Sequence, residues 1–294
     1  MDYFKSIQAA LDFMEQHLQE ELHIRDIASQ ARFSPFHFQR LFQAISGLSV
    51  HAYIRRRRLS EAACLLKETS MTIMDIAVLF QYGSQEAFTR AFESQFGITP
   101  AKFRKASSLT SLPFQHKMNF LDFKQNGKGD EPFMHKPVIV QLPPTTIIGI
   151  EYKTSLNQDQ MYQDIPQFYH DFGQNEYFSL IPSIAPAMPY GISCNFEDDG
   201  RFSFVIGEKV DSSATIPDPR FVKFVIPGGT YAEFKVNGPS ESVSRTRTYI
   251  YQTWLPNSHY ERTEGPDFEI TDVCNSIYPD DMNMKVYIPL KDEK

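Results

Sequence analysis

Residues 51–67 read HAYIRRRRLSEAACLLK, one helical stretch with a near-copy of the same supersecondary unit on either side of it. Upstream, residues 34–47 read SPFHFQRLFQAISG; downstream, residues 84–97 read SQEAFTRAFESQFG. Ser34 and Ser84, Phe38 and Phe88, Arg40 and Arg90, Phe42 and Phe92, and Gly47 and Gly97 each stand 50 positions apart. A cap, two core aromatics, an outward arginine and a terminating glycine kept in register mark a duplicated helical unit.

The first copy shows how the unit is built. A short helix is expected over residues 24–31, Arg32 and Phe33 supply a turn, and Ser34 with Pro35 gives an N-cap followed by proline at the first helical position. The product is a helix-turn-helix. In its second helix Phe38, Leu41, Phe42 and Ile45 share one face by their i, i+3, i+4, i+7 spacing and belong to the core. Phe36, His37, Gln39, Arg40 and Gln43 fall on the opposite face. In the second copy Asp75, Ile76 and Ala77 echo Asp26, Ile27 and Ala28, Gln85, Glu86, Thr89 and Arg90 turn outward, and Phe88, Ala91 and Phe92 turn inward. A lone polar helix face is ordinarily just solvated; two copies in register make it a surface kept for a purpose. Ahead of both, Ile7, Ala10, Leu11, Met14 and Leu18 give residues 3–19 the pattern of an amphipathic first helix.

The connecting helix is about 25 Å long at about 1.5 Å per residue, close to one turn of a DNA duplex. Helices held at its two ends can therefore enter successive major-groove segments on one side of B-DNA. Arginine binds guanine bidentately and glutamine suits adenine, so the outward side chains are of the base-reading kind. Arg55, Arg56, Arg57 and Arg58 cover most of a helical circumference, which leaves some to face phosphate and others to pair with carboxylates such as Glu61.

Taken as a total, the formal net charge of −7 opposes a nucleic-acid partner, but it is unevenly distributed. Residues 1–110 carry 13 Lys and Arg against 11 Asp and Glu, and the remainder carries 16 against 25. The acidic balance belongs to the second part, and a local basic cluster matters more than the total. At 294 residues the chain has room for two cores. No apolar run approaches the roughly 20 residues of a membrane span, and acidic residues interrupt residues 1–30, unlike a signal peptide. A cytoplasmic location is expected. Cys64, Cys194 and Cys274 are odd in number with no C-x-x-C spacing, so neither a disulfide framework nor a metal site is expected, and they read as buried small apolar residues. No cofactor motif is present.

Residues 107–136 turn to Ser, Thr, Pro, Gly and Lys with scattered Phe, a linker holding one apolar stretch over 118–123 whose aromatics are free to dock on either domain. Beyond it the period becomes that of strands. Residues 138–150 and 222–234 align at an offset of 84, each followed by an expected helix (158–172 and 240–254) and two further strands, the closing ones at 202–210 and 285–290. This second repeat predicts an α+β domain of two related β-α-β-β halves, with helices on one sheet face and a cleft on the other. Alternation then splits the strands into two sets. Phe268 with Ile270, Ala232 with Phe234, and Val286 with Ile288 are expected to face the helices. Glu269, Tyr231 with Glu233, and Tyr287 should face the cleft, with Trp254 and Tyr190 at its rim.

These motifs carry two family resemblances. Ile27-Ala28, residues 55–66, and above all residues 83–100 followed by Phe103-Arg104 resemble the DNA-binding domain of AraC/XylS-type transcription regulators. The resemblance covers residues 1–106 and implies seven helices, the third and sixth of which read adjacent major grooves. It assigns double-stranded DNA contacts to Phe36, His37, Gln39, Arg40, Gln85, Glu86, Thr89 and Arg90, with RNA polymerase as a further partner. Glu86 departs from MarA-like members, some of which have a neutral polar residue there; a carboxylate would contact a cytosine amino group or support the helix start.

Residues 137–294 resemble the GyrI-like effector-binding domain that follows an AraC-type module in Rob-like regulators. The L-P-P-x-x-x-x-G-I opening at Leu142, Gly265-Pro-Asp-Phe-Glu269 and Val286-Tyr-Ile-Pro289 carry this likeness. It implies a small amphipathic or cationic organic effector held by aromatics around an acidic residue, which would make Tyr190, Tyr231, Trp254, Glu269 and Tyr287 the effector-binding set. A ligand-responsive transcription regulator, not an enzyme, is the reading these features favour. Its rivals are a GyrI-like hydrolase using Glu269 with Tyr231 or Tyr287, and a protein-interaction module fused to a DNA-binding domain.

Overall fold

The computed structural model describes residues 3–106, 112–120, 136–157, 160–197 and 199–291. The chain divides into two compact units, residues 2–125 and 126–294.

The first unit begins with seven helices: α1 (Tyr3–Gln16), α2 (Ile24–Gln30), α3 (Pro35–Ser46), α4 (Val50–Glu68), α5 (Ile73–Leu79), α6 (Gln85–Phe96) and α7 (Pro100–Lys105). The duplication extends to backbone detail. Ser34 and Ser84 are extended N-caps that accept from the N–H of His37 and Ala87, and Gly47 and Gly97 end their helices left-handed, each at φ 71°. Glycine is favoured there because a Cβ opposes a positive φ. The turns match too, with Arg32 at φ 58° and Gln81 at φ 66°. Where α5 gains a capping box from Thr72 and Asp75, α2 has only His23, whose side chain makes no cap bond.

Around α6 the core consists of Leu59, Ala62, Leu66, Ile76, Phe80, Phe88, Phe92, Phe96 and Phe103, all buried. Each fully buried Phe contributes roughly 1.5–3 kcal/mol through removal from water. Part of the expected linker belongs to this unit. Phe120 is fully buried with its ring 5.4 Å from that of Phe42, Phe114 stands 5.3 Å from Phe96, and the Gln115 N–H donates to Ser60 Oγ at 2.9 Å. The remainder of that segment, 107–111 and 121–135, lies outside the described residues.

The second unit runs β1 (Val138–Leu142), β2 (Thr145–Ser155), α8 (Met161–Gln174), α9 (Tyr177–Leu180), β3 (Tyr190–Cys194), β4 (Arg201–Val210), β5 (Phe221–Ile226), β6 (Gly229–Gly238), α10 (Glu241–Tyr249), a π turn (Ile250–Trp254), α11 (Leu255–Asn257), β7 (Asp267–Thr271) and β8 (Met282–Leu290). The strands form one eight-stranded sheet in the order β1-β6-β8-β7-β3-β4-β2-β5, paired antiparallel throughout. Exchanging the two halves reverses this order onto itself, which places a pseudo-twofold between β3 and β7. The expected β-α-β-β halves are β2-α8-β3-β4 and β6-α10-β7-β8. Each is preceded by a short separate strand, where residues 138–150 and 222–234 read as single runs. Pro143-Pro144 and Pro227 break the run, since proline supplies no ladder N–H, and β1 then pairs with β6 while β5 pairs with β2. The halves thus exchange their first strands.

The cysteines depart from expectation. Cys194 is buried, but Cys64 and Cys274 are exposed. Cys64 lies off the buried stripe of α4 that holds Leu59, Ala62, Ala63 and Leu66, and Cys274 falls in the short turn Val273–Asn275 after β7.

Candidate functional site

In the first unit the candidate interface is the outward face of α6. Ser84 caps it, Gln85, Glu86 and Arg90 are exposed, and Thr89 is half-buried. The Glu86 carboxyl is held below the usual carboxylate range by its own backbone N–H and by the Ser84 hydroxyl. It therefore supports the helix start, as an acid in a first turn does.

The equivalent face of α3 is placed differently. Phe36 is half-buried, and His37 (4% exposed), Gln39, Arg40 (6%) and Gln43 are buried, where the spacing predicts an open surface. Within this unit the His37 ring lies 4.4 Å from Phe33 and 5.9 Å from Tyr3, and the Arg40 guanidinium lies 5.8 Å from the Phe36 ring.

The structure divides the four consecutive arginines. Arg57 pairs with Glu15 at 2.8 Å and Glu61 at 2.6 Å, and its Nη1 donates to the Gln115 carbonyl at 2.8 Å. Burial opposes its charge, but the bonds to Glu15 and Glu61 outweigh that and hold the guanidinium more firmly protonated than usual. Arg58 donates to the carbonyls of Leu18 at 2.7 Å and Glu20 at 2.6 Å. Both are fastened to α1 and the turn after it. Arg55 and Arg56 are exposed.

In the second unit a buried polar cluster lies between the sheet and its helices. Glu269 of β7, 3% exposed, accepts from the Tyr169 hydroxyl of α8 at 3.0 Å and from Arg247 Nη2 of α10 at 2.5 Å. Two residues earlier on the same strand face, Asp267 accepts from Arg262 Nη2 at 2.8 Å and from the Tyr251 hydroxyl. Burial and the neighbouring Glu269 charge push the Tyr169 hydroxyl well above its ordinary pKa, so it stays a donor. Burial opposes the Arg247 charge, yet attraction from Glu269 and Asp267 prevails. Directly across from Glu269 stands Gly191. A Cβ there would lie 2.3 Å from Tyr169 Oη and 2.6 Å from Phe204 Cζ, so the glycine is what lets the tyrosine reach the carboxylate.

This arrangement corrects the expected cleft. Glu269 faces the helices, and Phe268 and Ile270 face away from them. The five expected effector residues therefore fall into two groups. Trp254, 5.0 Å from Phe234, is on the helix-bearing face with Glu269. Tyr190, Tyr231 and Tyr287 are on the other, around Phe268, at ring distances of 6.0, 5.4 and 4.6 Å. There Tyr231 donates to the Pro227 carbonyl at 2.7 Å and Tyr287 to Glu233 at 2.8 Å. Ile147, Ile192 and Val205 join them in a buried apolar cluster. The physical reason is register. Alternation fixes parity within a strand, but only pairing relates one strand to the next, and Phe268 sits opposite Tyr287 while Glu269 sits opposite Val286.

Tyr169, Arg247, Arg262 and Asp267 were not singled out from sequence. Asp267 and Glu269 at i and i+2 of a strand whose alternate residues Phe268 and Ile270 are apolar were the available signal, because two acids on one buried face require cationic partners.

Comparison with known proteins fits this architecture. A family model described as integron-associated effector binding protein matches residues 138–290, and a helix-turn-helix domain model matches residues 27–106. The chain is 30% identical over 281 residues to the right origin-binding protein of Escherichia coli (strain K12), a match covering 92% of this chain and 91% of that protein. Identity and coverage are the same for the transcriptional regulator Rob of Salmonella typhimurium. An integron cassette protein from the mobile metagenome of Vibrio cholerae is similar at 16% identity and a TM-score of 0.41, over 54% of this chain and 98% of that one. With a helix-turn-helix domain followed by an effector-binding domain, and a relative aligned along nine-tenths of both chains, this protein belongs to the Rob-like family of AraC-type transcription regulators.

Proposed function

We propose that the first unit reads double-stranded DNA with α6 and α3 in adjacent major grooves. Gln85, Glu86, Thr89 and Arg90 contact bases and nearby phosphates, Arg55 and Arg56 neutralise phosphate, and Phe36, His37, Gln39 and Arg40 join them in a state that uncovers the α3 face. The observation that carries this reading is the repetition of caps and turns in the two copies, Ser34 with Gly47 and Ser84 with Gly97, together with the exposed outward face of α6. The 19 residues of α4 span about 28 Å at about 1.5 Å per residue.

The second unit senses a small amphipathic molecule on its helix-bearing face, at Glu269, Tyr169, Arg247 and Trp254. Binding rather than catalysis is supported by the Glu269 carboxylate, which is engaged by both Tyr169 and Arg247 and is not poised as a general base. The protein works in the cytoplasm, with RNA polymerase as its further partner. Selection of bound sequences from a random DNA pool by the full chain tests the first half of this reading. An enriched site with two conserved blocks about 10 base pairs apart is expected; a pool that enriches nothing would refute it.

A further inference from the structure

Resting on the reading of the second unit as an effector domain, we propose that Arg247, not Glu269, is the principal polar contact for the effector. The effector then presents a hydrogen-bond acceptor, best a carboxylate or similar anion, at that end.

The argument is an account of valence in the buried cluster. Both Glu269 oxygens have donors, Oε1 from Tyr169 and Oε2 from Arg247. Asp267 likewise receives Arg262 and Tyr251. Two carboxylates face two guanidiniums, so the cluster offers an incoming cation no net attraction. To reach Glu269 a cation would also have to approach the Arg247 guanidinium that already lies on it.

What is left over is a donor. Arg247 is 7% exposed, and its Nη1 is a buried atom with no hydrogen-bond partner among the described residues. An unmade bond to a buried guanidinium N–H is costly, and a charged acceptor is its strongest complement. Arginine presents its donors in a rigid fork, so with Nη2 fixed on Glu269 the direction of Nη1 is also fixed. Apolar company for the rest of such a molecule is present on the same sheet face, in Phe204, Phe234 and Trp254.

The test is calorimetry on the full chain at pH 7 with three probes of one skeleton: 4-phenylbutyrate, 4-phenylbutylammonium and 4-phenylbutanamide. The butyrate should bind about tenfold or more tighter than the ammonium, with the amide between them. Arg247→Lys, which keeps the charge but not the fork, should lose most of that preference. If Arg247→Lys fails to fold, nitrogen-15 spectra of the wild-type guanidinium groups take its place, and the Arg247 signal should shift with butyrate and not with ammonium. Preference for the ammonium, or butyrate binding that leaves Arg247 undisturbed, would overturn the proposal while leaving an effector domain in place. Failure of all three probes to bind would overturn both.

Discussion

Arg57 and Glu15, 42 positions apart, meet side by side, with Nε 2.9 Å from Oε1 and Nη2 2.8 Å from Oε2. This two-pronged pair fastens α4 to α1 and sets Arg57 apart from Arg55 and Arg56, which are exposed.

Arg57→Ala is therefore expected to destabilise the first unit by about 3–5 kcal/mol, because it strands the Glu15 carboxylate in a buried site. Arg55→Ala and Arg56→Ala should leave the melting temperature within error. Each should instead weaken DNA binding alike across sequences and lower the salt slope by about 1. Thermal melts and titrations at several salt concentrations separate the two classes; a shared behaviour of all three variants would contradict the division.

Arg90→Ala and Arg40→Ala should each weaken operator binding by about 1–3 kcal/mol through loss of a bidentate base contact. Retained affinity in both variants, with circular dichroism unchanged, would remove them from the interface.

Gly191→Ala places a methyl group where Tyr169 and Phe204 already stand. The expected cost is about 1–3 kcal/mol from overpacking, with Tyr169 displaced from Glu269 and effector binding weakened. Stability and binding of the variant are the measurements; a neutral substitution would mean that the tyrosine does not depend on this close approach.

Phe120→Ala should cost about 3–5 kcal/mol, the usual range for truncating a buried Phe, since its ring is enclosed beside Phe42. A fragment ending at residue 106 should accordingly melt below one ending at residue 125. Equal melting points would show that residues 112–120 add nothing to the helical core.

How far the sequence could be read depended on whether a feature is local. The helix-turn-helix pair was legible because caps, turns and terminating glycines act within four or five residues, and a 50-residue offset displays them twice. The two-half sheet was legible for a similar reason, as an 84-residue offset between strand pairs. What escaped was set by pairing at long range. The exchange of β1 and β5 between halves, the face on which Glu269 lies, and the capture of Glu269 by Arg247 and Tyr169 all depend on register between strands and helices distant in sequence. The burial of the α3 face was not legible either, since no periodicity within residues 35–46 separates a solvated polar stripe from a buried one.

The most direct test of the central claim is footprinting of the residue 1–125 fragment on its selected site, repeated over a range of salt. Two protected major-groove segments about 10 base pairs apart are predicted for a monomer, with log affinity falling linearly against log salt. A fragment that is helical by circular dichroism yet protects a single segment, or binds no DNA at low salt, would contradict it.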